Sequence, residues 1–177
     1  MQILETSRLL LRKFSRNDDA ALARVISDPE TMRFYPAPFD RAGVEEWIER
    51  NMRRYAESGH GLWGMVLKSN GELIGDCGVT IQNVDGVSEL EVGYHVRRDL
   101  WGQGLATEAA RACRDYGFIR LSAERIISLI RSENIASRRV AEKNGMEIWK
   151  EAMHYNLLHL VFCVRRERPR LSHLTSE

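Results

Sequence analysis

Hydrophobic positions along the chain recur with a period that shifts between two and about 3.6, so strands and helices interleave. Arg8 to Phe14 is a short strand candidate. Asn17 to Ile26 reads as a helix capped by Asn17 and ended at Asp28-Pro29, because the residue before a proline is pushed out of the helical region. Asp40 caps a second helix, in which Val44, Trp47, Ile48, Met52 and Tyr55 keep helical spacing and form a core or pocket-wall stripe. Trp63, Met65 and Leu67 alternate in a strand, Asn70-Gly71 turns the chain, and Leu73 to Ile81 returns antiparallel. A turn at Asp85-Gly86 leads into Glu89 to Val96. There Leu90, Val92, Tyr94 and Val96 share one face and Glu89, Glu91, Gly93 and His95 the other, which is polar enough to line a site. A helix from Gly104 to about Phe118, the apolar strand Ile126 to Ile130, a helix from Asn134 to Asn144 and strands around Met146 to Met153 and Leu157 to Val164 complete the order. The expected class is α+β, with helices packed on a mostly antiparallel sheet. A single domain is expected over 1–177, with its core at about 3–165 and a tail at 166–177.

Composition narrows the chemistry. With 177 residues, 44% of them hydrophobic, the chain can bury a core without metal or disulfide help. A net charge of +1, from 26 basic and 25 acidic residues, offers no general attraction to nucleic acid or to a membrane surface. The basic run Arg165 to Arg170 reads as a solvated end. Cys77, Cys113 and Cys163 are odd in number, far apart and set in apolar segments, so they are read as core residues of a reducing compartment, without zinc spacing. The opening MQILETSRLL lacks the features of a signal peptide, and no window reaches the roughly 18 consecutive apolar residues of a membrane span, so the cytoplasm is the expected location.

Trp101-Gly102-Gln103-Gly104-Leu105-Ala106-Thr107-Glu108 follows a strand directly and opens a helix whose Leu105, Ala109, Cys113 and Tyr116 keep helical spacing. Free N–H groups and the positive dipole end at a helix start favour an anion, and small residues let a phosphate approach the backbone. A tight strand-to-helix turn would use the same glycines. A P-loop would need Gly-Lys-Ser/Thr and a dinucleotide fold G-x-G-x-x-G among parallel strands, and neither pattern is present.

Three segments, Glu91-Val92-Gly93-Tyr94, Trp101 through Ala109 and Asn134 through Met146, occur in an order that resembles the GNAT superfamily of N-acetyltransferases. Together with the opening Glu5-Thr6-Ser7-Arg8-Leu9-Leu10-Leu11-Arg12, they place the resemblance nearest the RimJ/RimL-type branch, over roughly residues 3–165. The resemblance implies a mixed sheet with a V-shaped cofactor cleft between two central parallel strands, the one ending at Val96 and the one at Ile126 to Ile130. It implies acetyl-CoA as co-substrate and no metal. Val96 would bond the pantetheine through its backbone, with His95 beside it. The amides from Gly102 through Thr107 (Gln103, Gly104, Leu105 and Ala106 included), introduced by Trp101, would hold the pyrophosphate. Asn134 and Ser137 would face the cofactor from the other side. Arg97 and Arg98 either neutralise phosphate or are solvated at a strand end. The chain departs from the superfamily at Trp101, where many members carry Arg or Gln, and at Ala141, where many carry the tyrosine that protonates the departing thiolate.

Asn134, Ser137 and Ala141 are three and seven positions apart and so share one helical face. Members of the branch are thought to use a serine at position 137 as donor to the CoA sulfur; the alternative is a serine that only caps or back-bonds in its own helix. A thiolate of pKa about 8.5 leaves readily, and an α-amine of pKa about 8 is partly neutral near pH 7.5, but deprotonating a lysine costs roughly 4 kcal/mol. Glu91 is the candidate general base, directly or through water, unless it pairs with an arginine and shapes substrate preference. Attack is expected to be direct, in a ternary complex, with the oxyanion held by strand amides near Gly93 to Val96. The acceptor is expected to be a primary amine, either a protein N-terminus or a small molecule. The missing tyrosine also leaves a non-catalytic acyl-CoA-binding or sensing module open, and a homodimer is the first expectation for assembly.

Overall fold

The chain begins with an edge strand, β1 (Gln2–Glu5), that the alternating pattern did not reveal. The computed structural model describes residues 1–166. Strands β2 (Leu9–Arg12), β3 (Leu62–Leu67), β4 (Leu73–Val84), β5 (Val87–Val96), β6 (Arg125–Ile130), β7 (Glu147–His154) and β8 (Leu157–Arg165) join β1 in one sheet, ordered β1-β2-β3-β4-β5-β6-β8-β7. Helices α1 (Asp19–Ile26), α2 (Arg41–Glu57), α3 (Leu105–Arg120) and α4 (Ile135–Lys143) flank it. Every strand pairing is antiparallel except β5 with β6, which gives the mixed α+β sheet expected.

Local chemistry accounts for most boundaries. Asp40 caps α2 by accepting from the Gly43 amide at 2.8 Å. Consecutive positive φ values at Asp85 (51°) and Gly86 (81°) make the two-residue turn that matches strand twist in the β4–β5 hairpin. Three sequence expectations need correction. The strand read from Arg8 to Phe14 covers only Leu9–Arg12. The helix expected to begin at Asn17 starts as a 3-10 turn over Arg16–Asp18. Its cap is Ser15, whose amide donates to Asp18 at 2.7 Å, so Asn17 caps nothing. Met52 is 36% exposed and leaves the buried stripe of α2. Of the Arg165 to Arg170 run only Arg165 and Arg166 fall within the described residues, as does only the first residue of the 166–177 tail.

The two sheet faces carry different helices. Trp63, Cys77 and Tyr94 look toward α3 and α4: the Trp63 and Tyr116 rings lie 5.1 Å apart, the Cys77 and Cys113 sulfurs 3.5 Å apart, and the Tyr94 hydroxyl donates to the Ser137 carbonyl at 3.1 Å. Asp76 and His95 look the other way, toward α2, where Trp47 Nε1 donates to Asp76 at 2.8 Å.

At the centre, β5 and β6 stay in register at a single pair, Glu91 with Ile127. Next to it the Ser128 hydroxyl donates to the Val92 carbonyl at 2.7 Å, and the Leu129 amide turns to the Glu91 side chain at 3.3 Å. From there β6 is held by β8 along its whole length, from Arg125 to Ile130. The ladder between β5 and β6 therefore ends early and opens as a V toward Val96. Among the described residues no helix is long and apolar enough to cross a membrane.

Candidate active site

The glycine loop sits at the mouth of this V. Gly102 (φ 77°) and Gly104 (φ 79°) both occupy the left-handed region that side chains disfavour. Gly104 is the N-cap of α3 and has no side chain to offer, and the first intrahelical bond runs from the Glu108 amide to the Gly104 carbonyl at 3.0 Å. The amides of Leu105, Ala106 and Thr107 therefore have no partner within the helix and point, with its dipole, at whatever occupies the loop. Open space surrounds Gly102. Leu105 itself is anchored in the core, which fixes the helix start.

The N-terminal segment braces the loop, a contribution missed in the sequence. Arg8 donates to the Gln103 carbonyl at 2.9 Å and to Glu108 at 2.7 Å, and the Thr6 hydroxyl donates to Glu108 at 2.6 Å. Beside this clasp lies a cavity of about 540 Å³ whose lining includes Arg8, Gly104, Thr107, Arg111 and Lys143. Its cations suit phosphate. Only the separation of about 100 residues between Thr6 or Arg8 and Glu108 kept the clasp hidden.

Backbone alternation sets the inner wall. The Arg97 amide donates to the Ile74 carbonyl in β4 at 2.8 Å, so in β5 the odd residues spend their peptide groups on β4 and the even ones face the V. The Val92 carbonyl meets Ser128, and the Val96 carbonyl accepts from Trp101 Nε1 at 2.7 Å. Val96 thus presents its N–H to the cleft with one carbonyl lone pair already engaged, and Tyr94 presents its peptide beside it. Across the V, the Asn134 side chain caps α4 by accepting from the Ser137 amide at 3.1 Å, which leaves its own NH₂ available. Among the described residues the Ser137 hydroxyl makes no bond back into its own helix, and it stands beside the Tyr94 hydroxyl as a hydrogen-bonding neighbour. Ala141 is buried and supplies no proton.

Several expected cofactor contacts are committed elsewhere. The buried His95 faces α2 with both ring nitrogens engaged, Nδ1 with Asp76 at 2.8 Å and Nε2 with the Tyr35 hydroxyl at 2.9 Å. Its ring does not reach the pantetheine side. Arg97 is held by Asp99 and Glu72, and Arg98 is exposed with a 3.9 Å contact to Asp28, so neither reaches into the loop as a dedicated phosphate ligand.

On the α2 face, cross-strand pairing places Asp76 opposite His95, Gly78 opposite Gly93 and Thr80 opposite Glu91. Gly93 is the low point between two side-chain clusters, since a Cβ there would meet only Leu62 at 3.6 Å. Glu91 accepts from Gln82 at 2.7 Å, from Thr80 at 3.3 Å and from the Leu129 amide at 3.3 Å. Burial pushes its carboxyl above the usual range, and the bonds from Gln82, Leu129 and Thr80 pull partly back. Glu89, on the same face, is buried in an ion pair with Arg125 and is excluded as a base. From α2, the Arg50 guanidinium stacks 4.7 Å from the Trp47 ring, and burial followed by the neighbouring Arg50 charge lowers Arg54.

The chain matches the acetyltransferase (GNAT) domain family over residues 8–147. It belongs to the GNAT acetyltransferases. The Bacillus subtilis protein YkkB is 38% identical over 86% of this chain and 90% of its own length, and the N-acetyltransferase p20 of Bacillus licheniformis is 31% identical over 86% and 85%. An acetyltransferase from Agrobacterium tumefaciens superposes with a TM-score of 0.81 at 26% identity, covering 94% of this chain and 95% of that one. RimL, a ribosomal L7/L12 alpha-N-protein acetyltransferase, has the same fold, with a TM-score of 0.76 at 15% identity over 94% of each chain. The chain is therefore an acetyltransferase of GNAT fold whose structural neighbours include the RimJ/RimL-type branch, and the family's co-substrate is acetyl-CoA.

Proposed function

We propose that this acetyltransferase transfers an acetyl group to a primary amine by direct attack, with Glu91 as general base and Ser137 as donor to the departing sulfur. The observation that carries the reading is the convergence at the splay. The N–H groups of Tyr94 and Val96 face the V, while the Glu91 side chain lies on the α2 face of the same strand two residues before Gly93. The residues fit acetyl-CoA: the amides of Leu105, Ala106 and Thr107 suit its pyrophosphate, the cavity beside Arg8, Arg111 and Lys143 suits its nucleotide end, and Val96 and Asn134 flank the arm.

Acetyl-CoA supplies an activated acyl carbon and a thiol leaving group. The chain's residues supply the rest. The Tyr94 and Val96 amides are directed at the edge where a carbonyl oxygen gains charge. The raised Glu91 carboxyl is a stronger base than an ordinary glutamate and takes a proton from the incoming nitrogen. The Ser137 hydroxyl, beside that of Tyr94, hydrogen-bonds the sulfur as it leaves. Thiol release from acetyl-CoA, measured with purified protein against primary amines and peptides with free N-termini, tests the reading. Mass spectrometry identifies the acetylated amine. Thiol release that never depends on added amine would refute it.

A further inference from the structure

Across Gly93 from Glu91 stands a chain of side chains that the chemistry above leaves unused. Asp76 is fully buried in an otherwise apolar stretch of β4, where a carboxylate costs stability that a hydrophobic residue would not. It accepts from Trp47 and holds His95 Nδ1 at 2.8 Å, and His95 Nε2 lies 2.9 Å from the Tyr35 hydroxyl. A carboxylate only accepts, so in the neutral imidazole the proton sits on Nδ1 and Nε2 accepts from the Tyr35 O–H. With its proton spent, the Tyr35 oxygen offers only lone pairs to any further partner. Tyr35 lies between α1 and α2 and is 42% exposed, its ring 5.4 Å from His95. Glu91 and His95 flank Gly93 on this one face of β5, so the Tyr35 hydroxyl that His95 holds stands on the same side of the strand as Glu91.

We propose that Tyr35, oriented by His95 and Asp76, accepts a hydrogen bond from the substrate amine opposite Glu91 and thereby selects primary over secondary amines. The inference rests on the amine-acetylation reading above. A primary amine has two N–H groups and one lone pair. With one N–H on Tyr35 and the other on Glu91, the lone pair is aimed over Gly93 toward the acyl carbon. Glu91 can take part through Oε1, which accepts only from Leu129 and keeps one lone-pair site, whereas Oε2 already accepts from both Gln82 and Thr80. As the N–C bond forms and the C–S bond breaks, the electron pair leaves on sulfur and the proton passes to Glu91. Tyr35 holds the remaining N–H and takes no proton. A secondary amine has a single N–H, and giving it to Glu91 leaves Tyr35 unmatched. Tyr35 touches the substrate; His95 and Asp76 act through it as positioning residues.

The test pairs each primary amine or peptide of the panel with its N-methyl derivative, for the parent, Tyr35→Phe, His95→Gln and the double variant. Tyr35→Phe is expected to lower kcat for primary amines on the order of tenfold, leave the N-methyl rates within about twofold and keep KM for acetyl-CoA. His95→Gln should do the same, with the double variant no worse than either single one, because the residues act as a unit. Nitrogen NMR gives a readout apart from turnover: adding a primary amine to the CoA-bound parent should move the His95 Nε2 signal and leave Nδ1 in place. If His95→Gln fails to fold, the exposed Tyr35→Phe and the NMR shift carry the test. A parent that acetylates no amine overturns both the reading and the inference. A parent active on primary amines, with a preference that Tyr35→Phe keeps unchanged, or with a silent Nε2, overturns the inference alone.

Discussion

On the α3 side of β5, most of the groups that meet the cleft are peptide amides from one stretch, Tyr94 to Thr107, joined by Asn134 and Ser137 at the start of α4 and by the cations beside the loop. On the α2 side they are side chains from Tyr35, Trp47, Asp76, Glu91 and His95, gathered from a loop, a helix and two strands. A backbone site of the first kind tolerates varied side chains provided the φ angles stay possible. A side-chain site of the second kind depends on each member and can be retuned by changing one residue. The cofactor wall can therefore be common to a whole family while the acceptor wall belongs to the individual chain.

The comparison breaks most visibly at Gly104. Any side chain there is strained by φ 79°, and a β-branched one most of all, so Gly104→Val should displace the Leu105 to Thr107 amides. CoA affinity by calorimetry is expected to fall about 100-fold or below detection. A melting curve separates lost binding from lost fold. A folded variant with parental affinity would mean that the phosphate lies elsewhere.

Glu91→Gln attacks the other wall, with an expected loss of about 100-fold in kcat near neutral pH. The base works when ionised, so the parental rate should fall as pH drops through the raised carboxyl value, and the variant should lack that limb. Stability runs in the opposite sense. A carboxyl raised in the folded state stabilises it most below its unfolded pKa, and that contribution is lost as pH rises through the folded value. Above that value glutamine removes the cost of ionisation, so the variant should melt no lower than the parent. A variant with parental kcat and a raised KM would instead make Glu91 a binding residue.

Why one wall was legible follows from these materials. Positive φ at Gly102 and Gly104 and the uncapped start of α3 are local properties, and the hairpin turns at Asn70-Gly71 and Asp85-Gly86 are local as well. The alternation in β5 correctly put Glu91 and His95 on one polar face, yet it said nothing of what stands opposite. Asp76 in the apolar run Leu73-Ile74-Gly75-Asp76-Cys77 was the available signal, since such a carboxylate needs a partner. Its partners lie 19 and 29 positions away, so only the fold names them. Edge strand β1 escaped because its residues are half-buried at most and show no clean alternation.

Ser137→Ala is a smaller perturbation on α4. Its hydroxyl neighbours only that of Tyr94 in the free enzyme, and Tyr94 keeps its bond to the Ser137 carbonyl in the variant, so stability and CoA affinity should stay within a few fold while kcat falls about tenfold. Equal rates when chemistry limits turnover would leave the thiolate to depart unaided, which its pKa of about 8.5 permits.

The smallest expected effect sharpens the comparison, because it concerns a side chain on the backbone wall. Trp101 Nε1 donates to the Val96 carbonyl at 2.7 Å and so ties the start of the loop to the end of β5. Trp101→Phe removes that bond but keeps an aromatic ring and the peptide geometry. The indole is 42% exposed, so water can reach the freed carbonyl, and no buried polar group is left unpaired. The net cost is then about 1 kcal/mol, the ordinary worth of one hydrogen bond, or roughly fivefold in affinity. It should appear in KM for acetyl-CoA, because the tie fixes the distance between the Val96 amide and the loop amides that must grip one cofactor at two points. The α2 face is untouched, so kcat and the ranking of amines should stay parental. A changed amine ranking in Trp101→Phe would mean that the two walls are coupled through β5 and not separable as described.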